Sequence, residues 1–291
     1  MVKGFIVKAK LPSKKQIVDI MKHDIVIQGP YTDFTDYVVD SYLKLPFVNK
    51  VIVSCWNDNK LPKNRRRVKV IRNEYPSSPG TDNKNLQIVS SLNGLKECES
   101  EFAIKVRSDQ RFTYESMMQM YEFFVENYGK TNSHQYNSDK PNSKIFVAGL
   151  YTNLLFSMRD HLFWGYTDDL IDLFDIPLEK NSLIDYVKVP KERLGMYTSH
   201  FIRTETYLGA HYCANFSEEV NYFLLDPYQN LFDGCGHWNY VKEVSDKLIP
   251  QAFKSFPRSA INLEWVNWRP QGFNFDFESF LNGSSWHEDG Y

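Results

Sequence analysis

The sequence predicts an α/β protein whose first 110 residues build a sheet of the parallel βαβ type. Short apolar runs with the length of buried strands alternate there with segments whose apolar residues recur at helical spacing. The chain has 291 residues, enough to bury one large core or two modest domains that share an interface.

The first strand and the first helix are expected between residues 24 and 42. Residues 24–28 form a compact apolar run that Gly29 and Pro30 stop. After Thr32, three apolar residues recur at a spacing of four and so share one helical face: Phe34, Val38 and Tyr42. A strand followed by an amphipathic helix is the first part of a βαβ unit.

Further strands and a second helix complete this sheet. Strands are expected at residues 50–56, 68–72 and 102–109. Between the last two, the segment 83–98 places Ile88, Leu92 and Leu95 at i, i+4 and i+7. This spacing is typical of an amphipathic helix packed on a sheet.

The second part of the chain is less regular. Residues 131–144 are rich in Asn, Ser and Lys and predict a surface loop. A strand is expected at residues 144–149, and a helix at 167–174 that opens with a Thr cap and two aspartates. From about Pro177 the periodicity weakens, so no elements are assigned there.

Composition and charge narrow the classes of partner. The formal net charge of -2 lacks the basic excess of a general nucleic-acid binder, so no nucleic-acid partner is expected. The cysteines lie far apart in the sequence, so we interpret them as reduced thiols of a cytosolic protein. No apolar run reaches the ~20 residues that a membrane span needs. We expect a cytoplasmic protein. A basic run from Lys60 to Arg72 is either a solvated loop or a peripheral contact with an anionic membrane.

Ligands of open parallel α/β sheets bind outside the carboxyl ends of the strands, and these ends are polar here. They supply the candidate binding residues Gln28, Gly29, Pro30, Tyr31, Thr32, Trp56, Asp58, Arg107, Ser108 and Asp109. Gly29 lets backbone amides approach a ligand, although a plain strand-to-helix turn is the alternative. Neither a G-x-G-x-x-G nor a G-x-x-x-x-G-K-[ST] motif is present, so nicotinamide dinucleotide and phosphate-loop sites are not expected.

Four segments in order resemble the WavE-like lipopolysaccharide synthesis family. They read HDIVIQGP at residues 23–30, VIVSCW at 51–56, NLQIVSSLNGL at 85–95 and AIKVRSD at 103–109. The resemblance implies a glycosyltransferase of the GT-A type, with a mixed sheet flanked by helices. One domain, residues 1–291, would then join a nucleotide-sugar-binding half at 23–113 to an acceptor-side half at 145–291.

The resemblance also implies a role for Asp109 as the acidic residue that places Mn²⁺ or Mg²⁺ on the donor diphosphate. Carboxylate oxygens suit these hard cations. The sequence departs from a D-x-D motif, however, because Arg107 and Arg111 stand two residues before and after Asp109. Metal dependence is therefore open: Arg107 can contact the diphosphate itself, and a structural ion pair with Asp109 is the alternative.

Other residues receive roles within the same hypothesis. Trp56 and Asp58 are candidates for stacking and hydrogen bonding to the base, and Asn85 and Gln87 for contacts with the ribose. The alternatives are that Asp58 belongs to an ordinary turn without a ligand and that Asn85 and Gln87 are simply polar residues on a helix surface. Glu205, which stands amid aromatic residues, is the candidate base for the acceptor hydroxyl.

The predicted function is transfer of a sugar from a nucleotide-sugar donor to a glycan or glycolipid acceptor, in surface polysaccharide synthesis. Two alternatives stay open. One is a carbohydrate-binding protein that keeps the GT-A shape without catalysis, and the other is a sugar nucleotidyltransferase, which would release pyrophosphate.

Overall fold

The computed structural model describes residues 21–58, 65–131, 144–151, 154–179, 203–225, 235–266 and 274–275. Within these ranges the strands are β1 (His23–Gln28), β2 (Val48–Trp56), β3 (Val68–Asn73), β4 (Phe102–Arg107), β5 (Gln110–Phe112), β6 (Ile145–Val147), β7 (Leu162–Tyr166), β8 (Phe253–Ser255), β9 (Leu263–Val266) and β10 (Asn274–Phe275). The helices are α1 (Asp33–Tyr42), α2 (Lys84–Leu95), α3 (Tyr114–Thr131), α4 (Thr167–Phe174), α5 (Thr204–Ala214), α6 (Glu218–Leu225) and α7 (Cys235–Ala252).

The main sheet has seven strands in the order β3-β2-β1-β4-β7-β6-β8. The strands β3, β2, β1 and β4 are parallel, β7 runs antiparallel between β4 and β6, and β8 is parallel to β6. A separate antiparallel sheet joins β5, β9 and β10. The mixed sheet flanked by helices confirms the predicted α/β class. Because β7 pairs with β4, strands from both predicted halves lie in one sheet.

Helices cover both faces of this sheet. On one face α1 and α3 pack through Val38, Tyr42, Met117 and Phe124 against apolar residues such as Ile25 of β1. The opposite face packs against α2, α4, α5 and α7. The sheet therefore lies between two apolar layers, and its central parallel strands are buried on both sides, as the continuous apolar runs predict.

Helix α2 lies unusually close to the sheet because of a glycine. A Cβ added to Gly94 would lie 2.5 Å from Cγ1 of Val26 and 3.0 Å from Cβ of Ser54. A larger residue would push the helix away from β1 and β2. This packing holds the C-terminal end of α2 against β1 and β2.

The first residues of the motif at 23–30 hold the fold together. The Asp24 carboxylate is buried and accepts hydrogen bonds from Asn49 Nδ2 (2.9 Å), from the Ser100 hydroxyl (3.0 Å) and from the backbone of Glu99 and Ser100. His23 lies among aromatic rings, and burial lowers its pKa to about 3, so it is neutral. Both residues join the start of β1 to its neighbours, at the opposite end of the strand from its carboxyl end.

Several predicted elements differ in detail. The strand expected at 102–109 ends at Arg107, and a turn at Ser108 and Asp109 leads into β5. The predicted Thr cap of α4 is wrong: Tyr166 is the N-cap, and Thr167 is already helical and donates its hydroxyl to the Ser100 carbonyl (2.7 Å). The predicted loop at 131–144 falls almost entirely outside the described residues. Within the described ranges, no helix combines the length and apolar character that crossing a membrane needs.

Candidate active site

A cleft of about 580 Å³ opens at the carboxyl ends of β1, β2 and β4. Most of the predicted site residues line it: Gln28, Gly29, Pro30, Trp56, Gln87, Arg107, Ser108, Asp109 and Glu205. These residues come from both predicted halves of the chain. The structure therefore brings the candidate base into the same cleft as the strand ends.

The structure places the remaining predicted residues off the cleft lining. Tyr31 is buried in the core, and Thr32 is the N-cap of α1, where its backbone N–H donates to the Thr35 hydroxyl (3.0 Å). Asn85 is buried rather than on the helix surface, and its side-chain amide binds the backbone of Ser78 and Glu179. The Asp58 carboxylate accepts a hydrogen bond from the Tyr75 hydroxyl. The side chains of Thr32, Asn85 and Asp58 thus have hydrogen-bond partners within the fold.

Trp56 is already stacked on one side. Its ring lies parallel to Tyr75, with centroids 4.7 Å apart and an interplanar angle of 13°. The Tyr75 hydroxyl donates to both Asp58 oxygens, at 3.0 and 3.1 Å. Trp56 is buried while Tyr75 is exposed. Asp58 therefore positions the aromatic pair at the edge of the cleft.

Gly29 is required at the end of β1. Its φ of 125° lies in a region that side chains rarely adopt, and an added Cβ would lie 2.6 Å from the Ser108 hydroxyl. The Gly29 N–H donates to Ser54 (3.1 Å), while the Ser108 N–H donates to Gln28 (2.8 Å). The N–H of Gly29 is thus hydrogen-bonded within the sheet and is not available to a ligand. A glycine is needed here because Ser108 packs too closely to allow a Cβ.

Two glutamines that line the cleft each have a buried side-chain atom with no hydrogen-bond partner among the described residues. They are the acceptor Oε1 of Gln28 and the donor Nε2 of Gln87. A buried polar atom without a partner is unfavourable by about 1–3 kcal/mol.

The turn before α2 has a strained backbone. Asp82 and Asn83, which line the cleft, have φ values of 55° and 59°. Glu179 holds this turn, because its carboxylate accepts hydrogen bonds from the Thr81 N–H and from the buried Lys84 Nζ (3.0 Å). Residues in such conformations persist only where their surroundings enforce them, often at functional sites.

Arg107 is the centre of the charged network in the cleft. Its Nε and Nη2 donate to the two oxygens of Asp109, at 3.0 and 2.8 Å, and its Nη1 donates to Asp160 (2.9 Å). Trp265 Nε1 donates to the same Asp109 carboxylate (3.1 Å). The ion pair that the sequence left as an alternative is therefore present, and it includes a second carboxylate.

The two partners of this network have shifted pKa values. Burial alone would raise the pKa of Asp160, but Arg107 together with His161 and Lys105 holds it well below its usual range. Burial alone would lower the pKa of Arg107, but Asp160 and Asp109 raise it. Asp160 is therefore a carboxylate and Arg107 a cation at neutral pH.

This arrangement does not fit a divalent cation held by Asp109. Both Asp109 oxygens accept hydrogen bonds from a guanidinium, and one of them also accepts the Trp265 N–H. A metal at Asp109 would have to share this carboxylate with three hydrogen-bond donors, one of them a cation. Among the residues that the structure describes, no group of three or more His, Cys, Asp or Glu side chains is arranged to hold a metal ion.

Glu205 lies in the first turn of α5, where it lines the cleft. Burial raises the pKa of its carboxyl to about 7, and the negative charge of Asp160 contributes to the shift. A carboxylate with a pKa near neutrality is suited to accept a proton from a substrate hydroxyl. Glu205 thus lies in the cleft, and its role as the base stays a prediction.

A buried cation lies beneath these carboxylates. Lys105 of β4 is inaccessible to solvent, and its Nζ donates to the Asp160 carbonyl (3.3 Å). Burial lowers its pKa to about 8, against the opposing effect of Asp160. The positive charges of Lys105 and Arg107 therefore balance the negative charges of Asp109 and Asp160.

Sequence reasoning missed several residues of the cleft: Asp82, Asn83, Leu86, Asp160, Thr204 and Trp265. Asp160 reaches the cleft because it lies two residues before the antiparallel strand β7, and Trp265 because β9 pairs with β5. Neither pairing has a local sequence signal. The one sequence signal for Asp160 is that residues 155–174 also resemble the WavE-like family, more weakly than the four segments quoted above.

The chain is similar in structure to several solved proteins. One is S. aureus TarS 1-349, with 18% identity over 45% of this chain and 36% of that chain and a TM-score of 0.30. S. aureus TarS has 16% identity over 67% and 34%, with a TM-score of 0.38. The 4-diphosphocytidyl-2C-methyl-D-erythritol synthase of Anaerococcus prevotii DSM 20548 has 8% identity over 56% and 80%, with a TM-score of 0.36. This chain thus spans about a third of either TarS structure.

Sequence comparison assigns the family. No protein with a curated function matches the chain in sequence. The family model described as WavE lipopolysaccharide synthesis matches residues 24–225, more than half of the chain. This range includes the ends of β1, β2 and β4, the Arg107 network and Glu205. The chain therefore belongs to the WavE lipopolysaccharide synthesis family.

Proposed function

We propose that the protein is a glycosyltransferase that moves a sugar from a nucleotide-sugar donor to a hydroxyl of a glycan or glycolipid, in the synthesis of a surface polysaccharide. One observation carries the proposal. Glu205, a carboxylate that titrates near neutrality, lines the same cleft as the strand ends and the unsatisfied amides of Gln28 and Gln87. Family membership supports the class of reaction.

The donor nucleotide would bind along the strand ends. Gln28 can accept a hydrogen bond from a base or ribose, and Gln87 can donate one. Trp56 forms an aromatic wall whose orientation Tyr75 and Asp58 fix. The sugar would then extend toward Asp109, Asp160 and Glu205, where acidic groups can accept bonds from its hydroxyls.

In an inverting transfer, the acceptor hydroxyl oxygen forms a bond to the anomeric carbon of the donor sugar. The bond between that carbon and the diphosphate oxygen breaks, and the nucleoside diphosphate leaves with the electron pair. Glu205 takes the proton of the acceptor hydroxyl. Such a general base contributes about 10²–10⁴-fold to the rate.

The test separates transfer from both alternatives. Purified protein is incubated with UDP-, GDP- and CMP-linked sugars and a mixed glycan acceptor, and the released nucleotide is quantified. Acceptor-dependent release of a nucleotide supports the proposal. Release of pyrophosphate from a nucleoside triphosphate and a sugar phosphate would identify a nucleotidyltransferase instead. Glycan binding without any nucleotide binding would identify a binding protein.

Membrane contact and cytoplasmic location stay predictions. Most of the described basic residues between Arg65 and Arg72 contact the protein itself. Arg65 pairs with Asp36 and Asp40, Lys69 pairs with Glu97, and Arg67 donates to backbone carbonyls. In that part of the run these side chains thus make contacts within the fold, which matches neither a solvated loop nor a membrane-facing surface.

A further inference from the structure

We propose that Arg107 takes the place of a divalent cation in this cleft: its guanidinium binds the donor diphosphate, and nucleotide binding needs no metal. The inference rests on the proposed function, since it assumes that a nucleotide-sugar occupies the cleft. In this arrangement the Arg107 guanidinium both recognises the donor diphosphate and neutralises the negative charge of the departing nucleoside diphosphate.

The carboxylate that a metal would need is already occupied. Arg107 binds Asp109 through two parallel N–H···O contacts, and the Trp265 N–H adds a third donor to Oδ2. Mg²⁺ and Mn²⁺ require oxygen ligands whose lone pairs are directed at the ion. A cation at Asp109 would therefore have to compete with three donors, among them the positive guanidinium, for a buried carboxylate.

The charges of Arg107 and its nearest ionised neighbours are already balanced. The two positive charges of Lys105 and Arg107 equal in number the two negative charges of Asp109 and Asp160. Lys105 contacts the Asp160 backbone, while Arg107 contacts both carboxylates. These four groups are thus balanced in charge before any ligand binds, while Asp82 and Glu205 add acidic groups elsewhere in the cleft lining.

Arg107 retains donors for a ligand. A guanidinium has five N–H groups in a fixed planar fork, and its contacts with Asp109 and Asp160 use three of them. Its side chain is 30% exposed and lines the cleft. Arginine binds phosphate oxygens well because its geometry permits paired hydrogen bonds.

The network also fixes the orientation of these donors. The guanidinium lies 5.7 Å from the centre of the Trp265 ring, while Asp109 and Asp160 hold it from two elements of the fold. A preorganised cation loses little side-chain freedom when the ligand binds. As the sugar–diphosphate bond breaks, the developing negative charge meets a positive group that is already in place.

The experiment measures binding of UDP, GDP, CDP and CMP to the wild-type protein by calorimetry, once with EDTA and once with Mn²⁺. We expect at least one nucleotide to bind with dissociation constants that agree within about threefold between the two conditions. Binding that EDTA abolishes and Mn²⁺ restores would overturn the inference and leave the proposed function intact. If no nucleotide binds in either condition, the proposed function fails, and the inference fails with it.

A variant tests the role of the guanidinium. Arg107→Lys keeps the charge but loses the planar fork, so we expect nucleotide affinity to fall by about tenfold or more. Arg111→Lys is the matched control, because Arg111 pairs with Glu264 and does not line the cleft. Equal affinity of both variants would overturn the inference. Circular dichroism checks folding, and the wild-type EDTA comparison remains decisive if Arg107→Lys does not fold.

Discussion

Arg107 and Asp109 form a bidentate ion pair at 3.0 and 2.8 Å, although a single residue separates them in the chain. Arg107 is the last residue of β4, and Asp109 lies in the turn that leads from β4 into β5. The end of β4 is therefore the structural centre of the cleft.

The first prediction concerns the pH dependence of sugar transfer. Glu205 must be deprotonated to accept a proton, and the pKa of its carboxyl is about 7. The rate under limiting donor and acceptor should therefore rise about tenfold per pH unit below that value and level off above it. A pH–rate profile of the wild-type enzyme measures this. A rate that is flat between pH 5 and pH 8 would contradict the assignment.

Asp160 should tune this profile. Its negative charge contributes to the raised pKa of Glu205, so Asp160→Asn should move the midpoint of the profile to lower pH. The control is Asp246→Asn, which removes an exposed carboxylate on α7 that pairs with Lys242. An unchanged or higher midpoint in Asp160→Asn would show that Asp160 does not act on Glu205.

Gly29 should tolerate no side chain. Gly29→Ala places a Cβ 2.6 Å from the Ser108 hydroxyl in a backbone conformation that alanine disfavours. We expect the free energy of unfolding to fall by about 1–3 kcal/mol, as measured by urea denaturation. Gly165→Ala is the matched control, because its Cβ would meet no atom closer than 3.8 Å. Equal stability of the two variants would refute this account of the β1 end.

Glu179 should support the turn beside the cleft. Its carboxylate pairs with the buried Lys84, and its removal leaves that ammonium without its partner. Glu179→Ala should therefore lower the free energy of unfolding by about 3–5 kcal/mol. Glu219→Ala should change it little, since Glu219 lies exposed and 4.0 Å from Lys247. Urea denaturation of both variants decides the matter, and similar losses would show that the buried pair is unimportant.

The elements that the sequence predicts well are those with one apolar face. Helix α1 and helix α2 each bury a stripe against the sheet, so their apolar residues recur at helical spacing. Helix α5 has no such stripe. Leu208, Gly209, Ala210 and Tyr212 are consecutive or nearly so and all buried, because the helix is enclosed by other elements. Periodicity cannot reveal a helix that is buried on most sides.

The same limit applies to the cleft. Residues at the ends of β1, β2 and β4 are predictable because parallel strands place their carboxyl ends at one edge. Glu205 was identified from its surroundings in the sequence. Trp265 was not, because it reaches Asp109 through a strand pairing between segments more than 150 residues apart. Long-range antiparallel pairing leaves no local pattern.

The most direct test of the central claim compares nucleotide release by wild type and Glu205→Gln at pH 8, with Glu218→Gln as an exposed helix-start control. The account predicts that Glu205→Gln binds the donor as wild type does but releases nucleotide about 10²–10⁴-fold more slowly, while Glu218→Gln behaves as wild type. Undiminished release by Glu205→Gln, with donor binding intact, would contradict the assignment of Glu205 as the base for sugar transfer.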